Sequence, residues 1–140
     1  MQAQVKTSVK PLGVYLVEDS PILVRLLSDL LSTDATISVL GKAASARIAI
    51  NEIRALSPDV VVLDIALQDS SGFTVLKKFP PTDRKRPVFM MLSNLALDPY
   101  RRRAANLGAR HFFDKHRQIT EMLSTIVRLA HSARQTRAAS

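Results

Sequence analysis

Cysteine and tryptophan are both absent from the 140 residues. Without cysteine there are no disulfides, no thiolate nucleophile and no cysteine-based zinc site. The same absence suits a reducing compartment, and a cytoplasmic chain is the expectation. Aromatics amount to 5% of the sequence, so the core must be built from aliphatic side chains. No apolar run approaches the roughly 20 residues of a membrane helix. The polar start, MQAQVKTSVKP, lacks the apolar stretch of a secretory signal. A soluble chain is therefore expected, and the length allows one domain with a real core.

What is present supports a globular chain, with 46% hydrophobic residues. The net charge of +8 is unevenly placed. Residues 1–70 hold 6 Lys/Arg against 8 Asp/Glu, a net of −2, and residues 71–140 hold 14 against 4, a net of +10. A basic half of this kind is most simply a solvated surface, and it also suits an acidic partner. A nucleic-acid-binding module is the weaker reading, because the basic residues lack interleaved aromatics, a helix-turn-helix or an RNA-binding signature.

The apolar pattern alternates between two kinds of segment. DVVVLD at 59–64 is a continuous valine-rich run ending on a carboxylate. Such a run reads as a strand buried on both faces, since a half-exposed strand would alternate with polar residues. Leu12–Val17 (LGVYLV) and Val88–Leu92 (VFMML) read the same way, with shorter strands at Thr36–Leu40, closed by Gly41, and at His111–Phe113. Between them lie helical patterns. Ser20 followed by Pro21 is a cap and first-turn proline. Ile22, Leu23, Leu26, Leu27, Leu30 and Leu31 then predict one buried face. Ser45 opens a second helix with Ile48, Ala49, Ile53 and Leu56 inward, stopped by Pro58. Gly72 suits a tight bend into a third, with Phe73, Val75, Leu76 and Phe79 buried. Asp98-Pro99 repeats the cap-plus-proline start of a fourth, which ends near Gly108. Ile119, Met122, Leu123, Ile126 and Val127 mark the last helix, whose pattern fades after His131. The expected organisation is a flexible tail over 1–11, one domain over 12–131 and a frayed basic tail over 132–140.

Five strand–helix units with fully apolar strands predict an α/β fold with a parallel sheet covered on both faces. In such sheets ligands bind beyond the carboxyl ends of the strands. The strands deliver Glu18, Asp19, Asp64, Ser93 and Lys115 to that edge. Three neighbouring carboxylates repel one another and call for positive charge. All-oxygen ligands favour a hard divalent cation such as Mg²⁺. A carboxylate with a metal, a hydroxyl and an ammonium around it is equipped for phosphoryl transfer.

VEDSP at 17–21, VVVLD at 60–64 with Gly72 eight positions on, MLSN at 91–94 and FFDK at 112–115 resemble the receiver domain of bacterial two-component response regulators. The resemblance spans about residues 12–131. It implies a flavodoxin-like (βα)5 doubly wound sheet of strand order 2-1-3-4-5. It implies Asp64 as phosphoacceptor, Glu18, Asp19 and Asp64 as Mg²⁺ ligands with the Ala66 carbonyl, and Ser93 and Lys115 as phosphoryl contacts. Ser93 and Phe112 match the family's switch pair. The implied donor is a sensor histidine kinase or a histidine phosphotransfer protein. Signalling, or dimerisation, would use the fourth helix, fifth strand and fifth helix, where Arg101, Arg102 and Arg103 read as a solvated basic face suited to an acidic output protein. The expected form is a stand-alone receiver that performs no catalysis beyond its own phosphorylation; the alternative is a receiver-shaped interaction protein that is never phosphorylated.

Three departures from the family pattern stand out. His116 follows Lys115 where proline is usual, so a trans bond is expected there, because the cis form costs about 2.5–4 kcal/mol without proline. Asn94 replaces a small residue beside the switch hydroxyl, and Gln68 replaces a proline. The two positions that influence phosphoryl hydrolysis in this family are Ala66 and Leu95, neither of which positions a water through its side chain. Slow self-dephosphorylation is therefore expected.

Overall fold

The structure, a computed structural model, describes residues 10–139, with side chains to residue 133. The ten elements alternate: β1 (Leu12–Val17), α1 (Pro21–Leu31), β2 (Ile37–Ala43), α2 (Ala46–Leu56), β3 (Val60–Leu63), α3 (Gly72–Lys77), β4 (Val88–Ser93), α4 (Asp98–Asn106), β5 (His111–Asp114) and α5 (Ile119–Ala139). The strands form one sheet of order β2-β1-β3-β4-β5 with every neighbour parallel. This is the flavodoxin-like doubly wound arrangement that the sequence implied.

Each central strand feeds two cores, because successive side chains leave a strand on opposite faces. Tyr15, Val17, Val61, Leu63, Phe89 and Met91 join α2, α3 and α4 on one side. Val14, Leu16, Val60, Val62, Met90 and Leu92 join α1 and α5 on the other. The fully apolar VVVL of β3 is what this double covering demands. Each such side chain contributes on the order of 1.5–3 kcal/mol by leaving water.

The helices differ from their sequence reading mainly in phase. Ser20 caps α1 as expected, its Oγ accepting from Leu23 N. The buried residues of α1 are Val24, Leu27 and Leu31, whereas Ile22, Leu26 and Leu30 are 84%, 47% and 43% exposed. The six residues expected inward cover more than one face, and docking on the sheet selects Leu27 and Leu31 from them and adds Val24. In α2 the inward set is Ala46, Ala49, Ile50 and Ile53, with Ile48 and Leu56 exposed. The four residues expected inward around α3 are all buried.

Local punctuation also shifts. β2 continues through Gly41 to Ala43, because a register shift opposite Val14 and Tyr15 absorbs Leu40. α4 is capped by Leu97 without a side-chain hydrogen bond; Asp98 lies inside the helix, contributing first-turn charge instead of a cap. Gly108 ends that region with φ +95°, as expected of a helix-terminating glycine. α5 keeps helical backbone to Ala139, so the described backbone of the last helix extends beyond the fading of its apolar pattern at His131. Alanine, arginine and glutamine there favour helix without an apolar stripe. Of the expected N-terminal tail, residues 1–9 lie outside the described residues, and Lys10 and Pro11 belong to no element.

Tyr15 is fully buried, and its hydroxyl donates to the Glu52 carboxylate on α2. Burial first, and then the Glu52 hydrogen bond and charge, push its phenol well above the ordinary range. A proton held more tightly by the folded state stabilises it fully below the ordinary phenol pKa near ~10, and this contribution is lost as pH rises above that. In a Tyr100→Phe background, Tyr15 phenolate absorbance is expected only together with loss of helical circular dichroism. Adding Tyr15→Phe should raise the pH of alkaline unfolding. Phenolate absorbance preceding unfolding would contradict the assignment.

Candidate phosphoryl and metal site

Parallel register brings the sequence-predicted residues to one sheet edge. Val17 pairs with Leu63, so Glu18 and Asp64 follow side by side, and Asp64 N donates to Val17 O at 3.0 Å. Ser93 pairs with Asp114, and Lys115 N donates to Ser93 O at 3.0 Å. The order β1-β3-β4-β5 thus converts four distant strand ends into neighbours.

Asp64 and Glu18 are buried, each 4% exposed, while Asp19 is exposed. One oxygen from each of the three carboxylates lies within 4.8 Å of the others. Lys115 Nζ stands between the two buried acids, 2.8 Å from Asp64 Oδ2 and 2.8 Å from Glu18 Oε1. Its directed hydrogen bond goes to Asp64. The Glu18 contact is an ion pair by distance without hydrogen-bond geometry. Oε1 is accordingly the buried side-chain oxygen, among the described residues, that accepts no hydrogen bond. Glu18 Oε2 accepts from Ser20 N at 3.0 Å, and Asp64 Oδ1 from Ile65 N at 2.7 Å.

The charges follow from this packing. Burial raises the Glu18 pKa, reinforced by the Asp64 charge and only partly offset by Lys115 and the Ser20 N–H. Burial alone would lower the Lys115 pKa, but the Asp64 hydrogen bond and the close carboxylates of Asp64 and Glu18 outweigh it, so the net direction is upward. A buried carboxylate oxygen without a donor, beside two more carboxylates, fits the hard-cation donor set that Mg²⁺ prefers.

Ser93 is buried, and its Oγ accepts from Leu95 N at 3.1 Å within its own loop. Phe112 is partly buried against the α2–α3–α4 core. Ala66 and Ser71 form an isolated bridge that closes the loop after Asp64. Gly72 is at the start of α3 because space requires it: a Cβ there would collide with the Asp64 carbonyl oxygen. Its φ lies outside the left-handed region, so the tight bend is a matter of close approach. No cis peptide bond occurs among the described residues, as expected of Lys115–His116. An Asp114 turn takes proline's place there, with Asp114 Oδ1 accepting from His116 N at 2.8 Å.

Two features were not legible in the chain. Asp69 ties the loop after Asp64 to α2, accepting from Ala46 N at 2.7 Å and Arg47 N at 3.2 Å. The Ala46 hydrogen bond holds this carboxyl below its usual range. The arginine triplet is the second. Arg101 and Arg103 lie over the Phe112 and Phe73 rings at 4.9 and 4.8 Å from the centroids, so the expected solvated face is only partly present. A residue-by-residue reading has no signal for either, since each contact depends on how separate elements dock.

The fold and this edge define a doubly wound α/β domain with an acidic, lysine-bridged pocket at its carboxyl end. The family model of the response regulator receiver domain matches residues 14–127, and the chain belongs to that family. A protein-glutamate methylesterase/protein-glutamine glutaminase of Rhizobium etli is 41% identical over 81 residues, 58% of this chain and 23% of its own length. The fimbriae Z protein of Salmonella typhimurium is 29% identical over 118 residues, covering 84% of this chain and 56% of that protein. The chain thus spans between about a quarter and just over half of these curated relatives. Among solved structures, the response regulator domain of Thermotoga maritima CheB superposes with a TM-score of 0.75 at 21% identity, covering 89% of this chain and 96% of that one. The receiver domain of a response regulator, NarL, from Mycobacterium tuberculosis gives 0.77 at 22% identity, covering 88% and 98%. Among the described residues, no helix is long and apolar enough to cross a membrane.

Proposed function

We propose that residues 12–131 act as a phosphoacceptor receiver in a cytoplasmic two-component phosphorelay. A sensor histidine kinase or a histidine phosphotransfer protein donates the phosphoryl group to Asp64. The observation that carries this reading is Lys115 Nζ at 2.8 Å from both Asp64 and Glu18, beside an exposed third carboxylate. An Asp64 oxygen attacks phosphorus as the bond to the donor imidazole breaks, and the freed imidazole nitrogen later takes a proton from solvent. Lys115 and the Ser93 hydroxyl contact the transferred oxygens. Glu18, Asp19, Asp64 and the Ala66 carbonyl hold Mg²⁺, which when bound supplies positive charge toward those oxygens. The readout is assigned to Ser93 and Phe112, and through them to the α4–β5–α5 face, where a protein partner or a second copy docks; the basic side chains there favour an acidic partner.

With Mg²⁺ and a small phosphodonor such as phosphoramidate, intact-mass measurement should show one phosphoryl adduct, lost in Asp64→Asn and without Mg²⁺. A wild-type chain that never gains the adduct would point instead to an unphosphorylated interaction module. The adduct should also be long-lived, because Ala66 and Leu95 offer no side-chain hydrogen bond to a hydrolytic water. A lifetime that does not shorten when a polar side chain is introduced at Ala66 or Leu95 would contradict that cause.

A further inference from the structure

α4 contributes little aliphatic surface to the core it joins. Its sequence, DPYRRRAAN, buries only Ala104. Rings and guanidinium groups do the rest. Tyr100 stacks on Phe73 with centroids 6.4 Å apart and planes 6° from parallel, and Arg103 covers the same Phe73 ring.

Arg101 reaches furthest. Its Nε donates to Ala96 O at 3.2 Å, in the loop that leaves Ser93. Its Nη1 donates to Phe112 O at 3.3 Å, and its guanidinium carbon lies 4.9 Å from the centroid of the Phe112 ring. One side chain therefore joins α4, the β4–α4 loop and β5, and it touches both the backbone and the ring of the residue assigned to the switch. A planar fork that stacks and donates at two points does this, and a lysine would not.

We propose that Arg101 is a positioning residue, a latch that holds Phe112 and the β4–α4 loop in the unphosphorylated arrangement and must let go when the ring moves. This rests on the phosphoacceptor reading above. Contacts made in one conformer only bias the equilibrium between the two, and linkage makes that bias act equally on phosphoryl binding. Removing the latch should then favour the phosphorylated arrangement before any phosphate arrives. The adjacent Arg102, which is exposed, serves as the control.

The test uses the full chain labelled with ¹⁵N and titrated with beryllofluoride, a phosphoryl analogue, in Mg²⁺. In Arg101→Ala, the free-state amide shifts of Phe112 and of the β4–α4 loop should lie part-way toward the wild-type saturated positions. Beryllofluoride should bind roughly three- to tenfold more tightly, the ratio expected from losing one guanidinium–ring contact and its hydrogen bonds. Arg101→Lys should fall between wild type and alanine, and it serves as the measured variant if alanine does not fold. Arg102→Ala should match wild type. A normal wild-type response with the Arg101 variants indistinguishable from Arg102→Ala overturns the latch alone. A wild type that does not respond to beryllofluoride overturns the phosphoacceptor reading and the coupling together.

Discussion

Lys115→Met is expected to destabilise the domain by about 3–5 kcal/mol in metal-free buffer, the cost typical of stripping one partner from a buried ion pair. The side chains of Glu18 and Asp64 are 2% and 4% exposed, and that of Lys115 is 15% exposed, so solvent screens their interaction weakly. Methionine preserves most of the volume and removes the ammonium, with its charge and its hydrogen bond to Asp64. It leaves two buried carboxylates facing each other with Asp19 close by. Mg²⁺ should restore much of the loss, since an ion that binds only the folded state stabilises it in proportion to RT ln(1 + [L]/Kd). Urea denaturation with and without Mg²⁺ measures both effects. Equal stability of variant and wild type without Mg²⁺ would mean that the ammonium is not what makes this acidic edge tolerable. A full loss that Mg²⁺ leaves unchanged would argue against these carboxylates as its ligands.

Gly72→Ala is expected to cost about 1–3 kcal/mol, the usual penalty for forcing an atom into a filled space. The added carbon would meet backbone, the Asp64 carbonyl group, with the Leu63 side chain 3.2 Å away. Backbone at the end of a central strand has little freedom to yield. Relief must come from moving Asp64 or the first turn of α3, and the first of these displaces the acceptor from Lys115. A misplacement of this order should slow phosphorylation from a small donor by about tenfold or more. Gly13→Ala provides the contrast: its nearest neighbour is the tip of the Leu40 side chain at 2.7 Å, which can rotate away. Stopped-flow or mass-resolved phosphorylation of the two variants separates the cases. Equal rates would show that the close approach at Gly72 has no bearing on the acceptor.

Much of the fold was legible because it rests on local rules. Continuous apolar runs such as VVVL need cover on both faces, and five such strands alternating with five helices leave few alternatives to a doubly wound sheet. Ser20 and Ser45 cap their helices as read, each accepting from a backbone N–H three residues on. Glu18, Asp19, Asp64, Ser93 and Lys115 were legible as strand-end polar residues, and the structure brings the three carboxylates and the lysine together.

The rest was decided in three dimensions. The α1 sequence is apolar over several directions, with seven aliphatic residues from Ile22 to Leu31, and only docking chose Val24, Leu27 and Leu31 for burial. Neighbouring Glu18 and Asp19 look equivalent in the chain, yet one is buried beside Lys115 and the other is exposed. Arg101 reads as one more surface charge until β5 places the Phe112 ring and carbonyl beneath it. Sequence by itself determined the element types and the polar residues at their ends, because backbone periodicity and capping act over a few residues. Tertiary structure decided helix phase, which carboxylate is buried and which arginine is committed, because each depends on contacts between segments tens of residues apart.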